Sequence, residues 1–264
     1  MKEKGLMAAL IGEVFGTFIL ILLGDGVVAN VGLSPRLNAG AYNWNTITIG
    51  WAFAVIVAVY VSAGVSGAHL NPAVTLALAV KRGFPWGKVL PYMFAQVLGC
   101  FLGAAGVFLA YRDGLVAAGM PNVWCTGPGS AFEAAFWGNG AVAAVSVPYS
   151  LVTCIIAEII GTAVLLWGVL ASGDSRNTGL LHNMGPFLVG GTVLAVGLSL
   201  GGPSGYAINP ARDFGPRLFG TLVGTTGLFD GIYWLAAPII ATLIGGLVGV
   251  FTYDWFVTRG LPEK

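Results

Sequence analysis

The sequence predicts an all-α membrane protein with six transmembrane helices and two re-entrant half-helices, arranged as an inverted 3+3 repeat. Three observations predict this fold class: an apolar composition, six stretches long enough to cross a bilayer, and a motif that occurs once in each half of the chain. Of the 264 residues, 56% are hydrophobic and 9% are charged, against about 25% charged in soluble domains. The formal net charge of +1 gives no indication of a nucleic-acid partner.

The apolar stretches set the number of spans. A helix that crosses the hydrocarbon core needs roughly 20 mostly apolar residues, and six segments approach that length. A long connector, 112–147, divides the single membrane domain of 1–264 into repeat one (1–111) and repeat two (148–264). The predicted spans are 7–31, 46–65, 88–111, 148–171, 185–201 and 231–256.

Basic residues orient the spans. With the N-terminus inside, most Lys and Arg residues fall on the inner side, as the positive-inside rule requires. Both termini are therefore predicted to be cytoplasmic, in an inner or plasma membrane. The inner set is Lys2, Lys4, Lys81, Arg82, Lys88, Arg176, Arg259 and Lys264, and the outer set is Arg36, Arg112 and Arg217.

Two further apolar stretches, 66–82 and 202–220, are interrupted by Gly and Pro near their middle. A helix from Asn71 to Lys81 would be only about 16 Å long at 1.5 Å per residue, which is about half of the hydrocarbon thickness. Each stretch is therefore interpreted as a loop that descends to mid-membrane, followed by a half-helix that returns. Such non-helical backbone is tolerated only where it lines a cavity or is buried in protein.

The two halves repeat the same features in the same order. Because each half has an odd number of spans, the second must insert upside down relative to the first, which places functional sites near the midplane. GxxxG pairs in the third and sixth spans predict close helix packing. The matching elements are Glu13 with Glu158, 66–73 with 204–211, and Gly99/Gly103 with Gly245/Gly249.

The repeated motif predicts two helix starts that face each other. Asn is a favoured N-cap and Pro is favoured directly after it, so Asn71-Pro72-Ala73 and Asn209-Pro210-Ala211 each begin a half-helix. Two positive helix ends repel cations and impede a proton wire, and the Asn amides can donate to a solute oxygen. The loops before the caps would add an acceptor ladder of backbone carbonyls: Gly67, Ala68, His69, Leu70, Gly205, Tyr206, Ala207 and Ile208.

Ionisable residues at membrane depth are costly and point to function. Glu13 and Glu158 are expected to support the two loops by accepting backbone N–H bonds. Arg212 is interpreted as a constriction donor rather than as the partner of an ion pair with Asp213, which is assigned to loop support. Asp25, near the outer end of the first span, is expected to be solvated.

The cysteines and histidines predict no catalytic or metal centre. Cys100 and Cys154 lie in apolar runs and are expected to be buried, whereas Cys125 lies in the connector and is a candidate reactive thiol. Their spacing matches no metal motif. His69 and His182 are the only histidines, and His182 is expected on a solvated inner loop. No metal, cofactor or enzymatic activity is therefore predicted.

The paired motifs resemble the aquaporin (major intrinsic protein) family over nearly the whole chain. Within it, Asp213 directly after Arg212, and Pro238 followed by Ile239, are similar to the glycerol-facilitator, or aquaglyceroporin, branch. The resemblance implies a passive channel for glycerol, water and similar neutral solutes such as dihydroxyacetone or urea, excluding ions and protons. It also implies a homotetramer in the lipid bilayer.

The resemblance further implies a four-residue selectivity filter, carried over to Trp51, Gly197, Tyr206 and Arg212. Trp51 and Tyr206 would form an aromatic corner against the carbon backbone of the solute, and Arg212 would face its hydroxyls. Gly197 stands where water-selective members have His, which widens the opening. Tyr206 stands where bacterial facilitators often have Phe, which leaves the preference among polyols open.

Two other transport functions remain as alternatives. A water-selective channel of the same fold is disfavoured by Gly197 and Asp213. A proton-coupled transporter would also be compatible with inverted repeats, and Glu13 and Glu158 would be its candidate proton sites.

Overall fold

In the computed structural model, residues 5–34, 43–129, 149–177 and 183–262 are described, and every regular element within these ranges is a helix. Five helical segments are long and apolar enough to cross a membrane. The elements are α1 (Leu6–Leu33), α2 (Trp44–Ser66), α3 (Pro72–Lys81), α4 (Trp86–Ala117), α5 (Leu151–Gly173), α6 (Gly185–Leu200), α7 (Pro210–Leu222), α8 (Tyr233–Leu235), a π-helical segment (Ala236–Ala241), α9 (Thr242–Phe256) and a 3-10 helix (Thr258–Gly260).

Each predicted span has a corresponding helical segment, and α4 departs most from its predicted length. α6 has 16 residues, or about 24 Å at 1.5 Å per residue, so it is shorter than a full crossing. α4 has 32 residues and continues to Ala117, into the stretch assigned to the connector. α3 begins at Pro72 and ends at Lys81, the bounds expected for the first half-helix.

The GxxxG glycines bring the first and third spans of each repeat into close contact, as predicted. A Cβ atom on Gly103 would lie 2.7 Å from Cβ of Ile21 in α1, and one on Gly245 would lie 2.8 Å from Cβ of Thr162 in α5. α4 therefore packs against α1, and α9 against α5, at distances that only glycine allows. Both pairs are used inside the chain, which leaves them unavailable for an interface between subunits.

The beginning of the connector is part of the packed structure. Trp124 is fully buried, and its Nε1–H donates to Oγ1 of Thr225 at 2.9 Å, while its ring meets that of Phe219 edge-on. Arg217 of α7 lies beneath this segment with 3% of its surface exposed. Arg217, which the sequence places with the outer basic residues, is thus part of a buried ion pair with Asp213.

All three thiols are buried. This confirms the prediction for Cys100 and Cys154, but the prediction that Cys125 is reactive was wrong. Its Sγ lies 3.5 Å from Oδ1 of Asn122, and burial raises the pKa of the Cys125 thiol above its usual range, so the reactive thiolate is scarce at neutral pH.

A maleimide labelling experiment tests this arrangement. We expect no cysteine to react over minutes at neutral pH in the folded protein, and all three to react after denaturation in dodecyl sulfate. Mass spectrometry of the intact protein counts the adducts. One adduct on Cys125 in the folded protein would contradict the packing described for the connector.

Candidate functional site

The two half-helices begin opposite each other, and each Asn cap bonds to the loop before the other. Oδ1 of Asn71 accepts from the backbone N–H of Ala73 at 2.8 Å, and Oδ1 of Asn209 accepts from Ala211 at 3.1 Å. Nδ2 of Asn71 donates to the Ile208 carbonyl, and Nδ2 of Asn209 donates to the Leu70 carbonyl, both at 2.8 Å. Each amide has a second proton that remains for a passing oxygen.

The loops before the caps share one unusual backbone pattern. Ala68 and Leu70 have φ of 49° and 51°, and Tyr206 and Ile208 have φ of 42° and 45°. These are left-handed conformations, which cost side chains other than glycine about 1–3 kcal/mol each. The same strain in both loops is evidence of the inverted repeat, and it persists only where surrounding groups restrain the backbone.

Two buried carboxylates provide that restraint. Glu13 accepts from the N–H groups of His69 and Leu70 at 3.0 and 2.7 Å. Glu158 accepts from the N–H groups of Ala207 and Ile208, both at 2.8 Å. Both glutamates are completely buried, and their contacts are those that the expected loop-supporting role requires.

Further supporting groups differ between the repeats, and sequence reasoning missed them. Nε2 of Gln96 donates to Glu13 and to Oγ1 of Thr75 in the first repeat. In the second repeat, Oγ of Ser204 donates to Glu158 at 2.6 Å, and the Tyr233 hydroxyl donates to the Ser204 carbonyl at 2.7 Å. Gln96 and Tyr233 come from distant spans, so no local motif could have indicated them.

A cavity of about 230 Å³ follows the two loops and both Asn caps. Seven of the eight residues predicted for the carbonyl ladder line it; Gly205 instead lies against Thr126. Apolar side chains make up much of the remaining lining: Leu20, Val55, Val59, Leu165, Val169, Val189 and Val193. A lining with both polar and apolar groups suits a solute with hydroxyls and carbon, and disfavours an ion that must lose its water.

Three of the four predicted filter residues line one section of this cavity. The guanidinium carbon of Arg212 lies 4.0 Å from the ring centroid of Trp51. Nε1 of Trp51, the Tyr206 hydroxyl and Nη1 of Arg212 are buried without a hydrogen-bond partner among the described residues. Since buried polar groups are normally paired, these three unpaired atoms make this section of the cavity the candidate binding site for a solute.

The fourth filter position, Gly197, lies directly behind Tyr206. A Cβ atom on Gly197 would be 2.9 Å from Cζ of Tyr206 and 2.8 Å from Cγ2 of Thr48. The Gly197 carbonyl accepts from Nε1 of Trp44 at 2.9 Å, and the Trp44 ring meets Tyr206 edge-on. Gly197 therefore leaves room for the Tyr206 ring.

Asp213 is not the partner of Arg212. Its Oδ1 accepts from Nε of Arg217 at 2.7 Å, and its Oδ2 accepts from the backbone N–H and hydroxyl of Thr126 at 2.8 and 2.6 Å. The Arg217 guanidinium also donates to the carbonyls of Thr126 and Leu228. Asp213 thus ties the connector to α7, and Thr126 is a supporting residue that the sequence did not indicate.

The expectation that Asp25 is solvated was wrong. Its side chain is completely buried, and Oδ1 lies 3.8 Å from Nη1 of Arg212. The helical register of α1 turns this residue inward, toward the second half-helix. His182, which is expected on a solvated inner loop, lies outside the described residues.

Comparisons with known proteins agree with this geometry. The chain matches the family described as Major intrinsic protein over residues 1–253. It is 45% identical to a probable glycerol uptake facilitator protein of Thermotoga maritima, with 94% of this chain and 99% of that protein covered. It is 42% identical to glycerol uptake facilitator protein 3 of Lactiplantibacillus plantarum, with 96% and 99% covered.

A solved structure is similar over the same extent. The X-ray structure of the aquaglyceroporin from Plasmodium falciparum has a TM-score of 0.84 and 30% sequence identity to this chain, and the alignment covers 97% of this chain and 98% of that one. The alignment therefore extends over both repeats.

Proposed function

This chain belongs to the major intrinsic protein family, and we propose that it is a passive channel through which glycerol and similar small neutral solutes cross a cell membrane. Water, dihydroxyacetone and urea are included among the candidate solutes. One observation carries the proposal: Trp51, Tyr206 and Arg212 each present a buried polar atom without a partner among the described residues, along a cavity whose lining also includes many apolar side chains.

The filter residues have complementary roles in this proposal. Arg212 and Nε1 of Trp51 donate to solute hydroxyls, and the Tyr206 hydroxyl both donates and accepts. The rings of Trp51 and Tyr206 exclude anything wider than a slim carbon chain, and Gly197 makes room for Tyr206. Solutes that cannot replace lost water at these atoms, above all hydrated ions, are rejected.

Farther along the pathway, the Asn caps continue the same chemistry. The remaining amide protons of Asn71 and Asn209 donate to a solute or water oxygen where the positive ends of α3 and α7 converge. Because both amides act as donors, they orient that oxygen toward themselves and interrupt a continuous chain of proton transfer. Pro72, Ala73, Pro210 and Ala211 complete the two caps as helix-starting residues.

We also propose the inverted topology with both termini cytoplasmic. Arg82 donates to Asp254 at 2.5 Å, and Lys81 lies 3.4 Å from the same carboxylate. Arg176 and Arg259 border the same surface depression as these residues. Basic side chains from both repeats therefore gather at one end of the bundle, which supports an inner location for that end.

Assembly as a homotetramer is part of the proposal. The glycine pairs are occupied within the chain, so the subunit interface must use other apolar faces.

Passage through a pore requires no chemical step, and we assign the chain no enzymatic activity and no cofactor.

Solute uptake into proteoliposomes tests the passive mechanism against coupled transport. We expect the initial rate of labelled glycerol uptake to rise linearly with glycerol concentration up to about 100 mM, because a channel has no slow conformational cycle that saturates. That concentration, about 100 mM, is far above the roughly 1 mM that is the upper limit of typical saturation constants. Collapsing proton and sodium gradients with ionophores should leave the rate unchanged. Saturation together with gradient dependence would instead identify a transporter, with Glu13 and Glu158 as its candidate proton sites.

A further inference from the structure

Asp25 is a buried acid that the proposed mechanism does not use. It is completely buried in α1, and neither carboxyl oxygen has a hydrogen-bond partner in the described part of the chain. Its Oδ1 lies 3.8 Å from Nη1 of Arg212, a distance that is too long for a hydrogen bond but close enough for a strong charge interaction. Nη1 of Arg212 likewise has no described hydrogen-bond partner.

The constriction of the pathway carries an excess of positive charge. Arg212 is permanently charged and sits in the first turn of α7, where the helix dipole is also positive; the start of α3 adds a second positive end. Together these groups repel cations. Without a compensating negative charge, they would attract small anions into the same constriction.

Among the described residues, Asp25 is the carboxylate placed to supply that charge. Asp213, the neighbour of Arg212 in sequence, is already bonded to Arg217 and Thr126. Asp25 is the one acid within ion-pair distance of Arg212 in the described ranges. Burial opposes a negative charge on this carboxyl group, and the Arg212 guanidinium at 3.8 Å favours it.

Position in the fold links Asp25 to both sides of the filter. A Cβ atom on the preceding residue, Gly24, would lie 2.5 Å from ring atoms of Trp51, so α1 directly backs the Trp51 ring. Trp51 in turn carries the Arg212 guanidinium on its face. One turn of α1 therefore supports the indole through Gly24 and faces the cation through Asp25.

We infer that Asp25 is a specificity-determining residue whose carboxylate balances the charge of Arg212 and so makes the channel exclude anions as well as cations. This inference rests on the proposed channel function. It assigns Asp25 a role through Arg212 rather than through contact with the solute, so Asp25 is a positioning and charge-balancing residue.

Ion selectivity of charge-removing variants tests the inference. In planar bilayers with a potassium nitrate gradient, we expect Asp25→Asn to raise nitrate permeability by about tenfold or more over the wild type, because the Arg212 charge loses the opposite charge that faces it at 3.8 Å in a buried site. Asp25→Glu keeps the charge and should restore anion exclusion. As a control, Asp254→Asn makes the same chemical change at a surface ion pair on α9 and should leave anion exclusion unaltered.

The reciprocal variant keeps the inference falsifiable if Asp25→Asn does not fold. Arg212→Gln should leave Asp25 as the excess charge and turn the preference toward potassium, and combining both substitutions should remove the preference for either sign. Wild-type anion exclusion in folded Asp25→Asn, or absence of a potassium preference in Arg212→Gln, would overturn the inference. Glycerol flux of the wild type, measured in vesicles from the same preparation, distinguishes these outcomes from failure of the channel function itself.

Discussion

Replacing Gly197 by Trp is expected to abolish glycerol flux while leaving the protein folded. The first carbon of any side chain at this position would lie 2.9 Å from Cζ of Tyr206, which is closer than van der Waals contact allows. The rest of an indole would push the Tyr206 ring across the opening toward Arg212. We expect glycerol permeability to fall by about 100-fold or more, which corresponds to about 3 kcal/mol added to the barrier.

The same helix offers a matched control. Gly191 precedes Gly197 in α6 by about 1.7 helical turns, and a Cβ atom there would meet no other heavy atom within 4 Å. Gly191→Trp should therefore insert into the membrane and conduct glycerol like the wild type. Both variants are compared by stopped-flow re-swelling after their elution in gel filtration has shown the same assembly. Undiminished flux through well-assembled Gly197→Trp would remove Gly197 and Tyr206 from the proposed pathway.

Glu158→Gln is expected to produce the second large effect, a loss of both stability and flux. Glu158 accepts from Ser204, Ala207 and Ile208 at 2.6 to 2.8 Å. A glutamine would turn an NH₂ group toward one set of these donors and leave buried groups unpaired, at a cost of about 3 kcal/mol. The strained backbone at Tyr206 and Ile208 would then relax and displace carbonyls from the pathway.

Thermal unfolding in detergent and glycerol re-swelling measure the two parts of this prediction. The control is Asp230→Asn, the same acid-to-amide change at an exposed residue that we expect to alter neither. A Glu158→Gln protein with wild-type unfolding temperature and wild-type flux would show that the loop holds its conformation without the carboxylate. Flux that depends on a proton gradient in the wild type but not in Glu158→Gln would instead indicate proton coupling at Glu158.

Local and repeated signals made most of the fold predictable. Uninterrupted apolar runs fixed the long spans, and Asn-Pro at both half-helices fixed their starting residues because capping is a property of neighbouring residues. The end of α4 was less predictable. The connector was predicted to begin at residue 112, yet the helix continues to Ala117, since charged residues such as Arg112 and Asp113 are compatible with helix at a membrane surface.

The contacts of charged side chains were the least predictable part of the site. Asp213 and Arg212 are adjacent in sequence, but successive helical residues point in different directions, so they bond to different partners. Arg217, one turn after Asp213, forms an ion pair with the Asp213 carboxylate. Arg212 instead faces Asp25, which belongs to a different span. Burial of Asp25 depends on how α1 is rotated against α7, which no local pattern in the sequence reports.

Light scattering of proteoliposomes in stopped flow tests the central claim most directly. One sample of vesicles is mixed with a hyperosmotic sucrose solution and another with a glycerol solution of equal osmolarity, and protein-free vesicles are treated in the same way. The account predicts shrinkage in both, followed in glycerol by re-swelling much faster than in protein-free vesicles and lost in Gly197→Trp. Fast shrinkage without accelerated re-swelling would contradict a glycerol channel and identify a water-selective pore, with the Tyr206 hydroxyl as the first candidate for the narrowing.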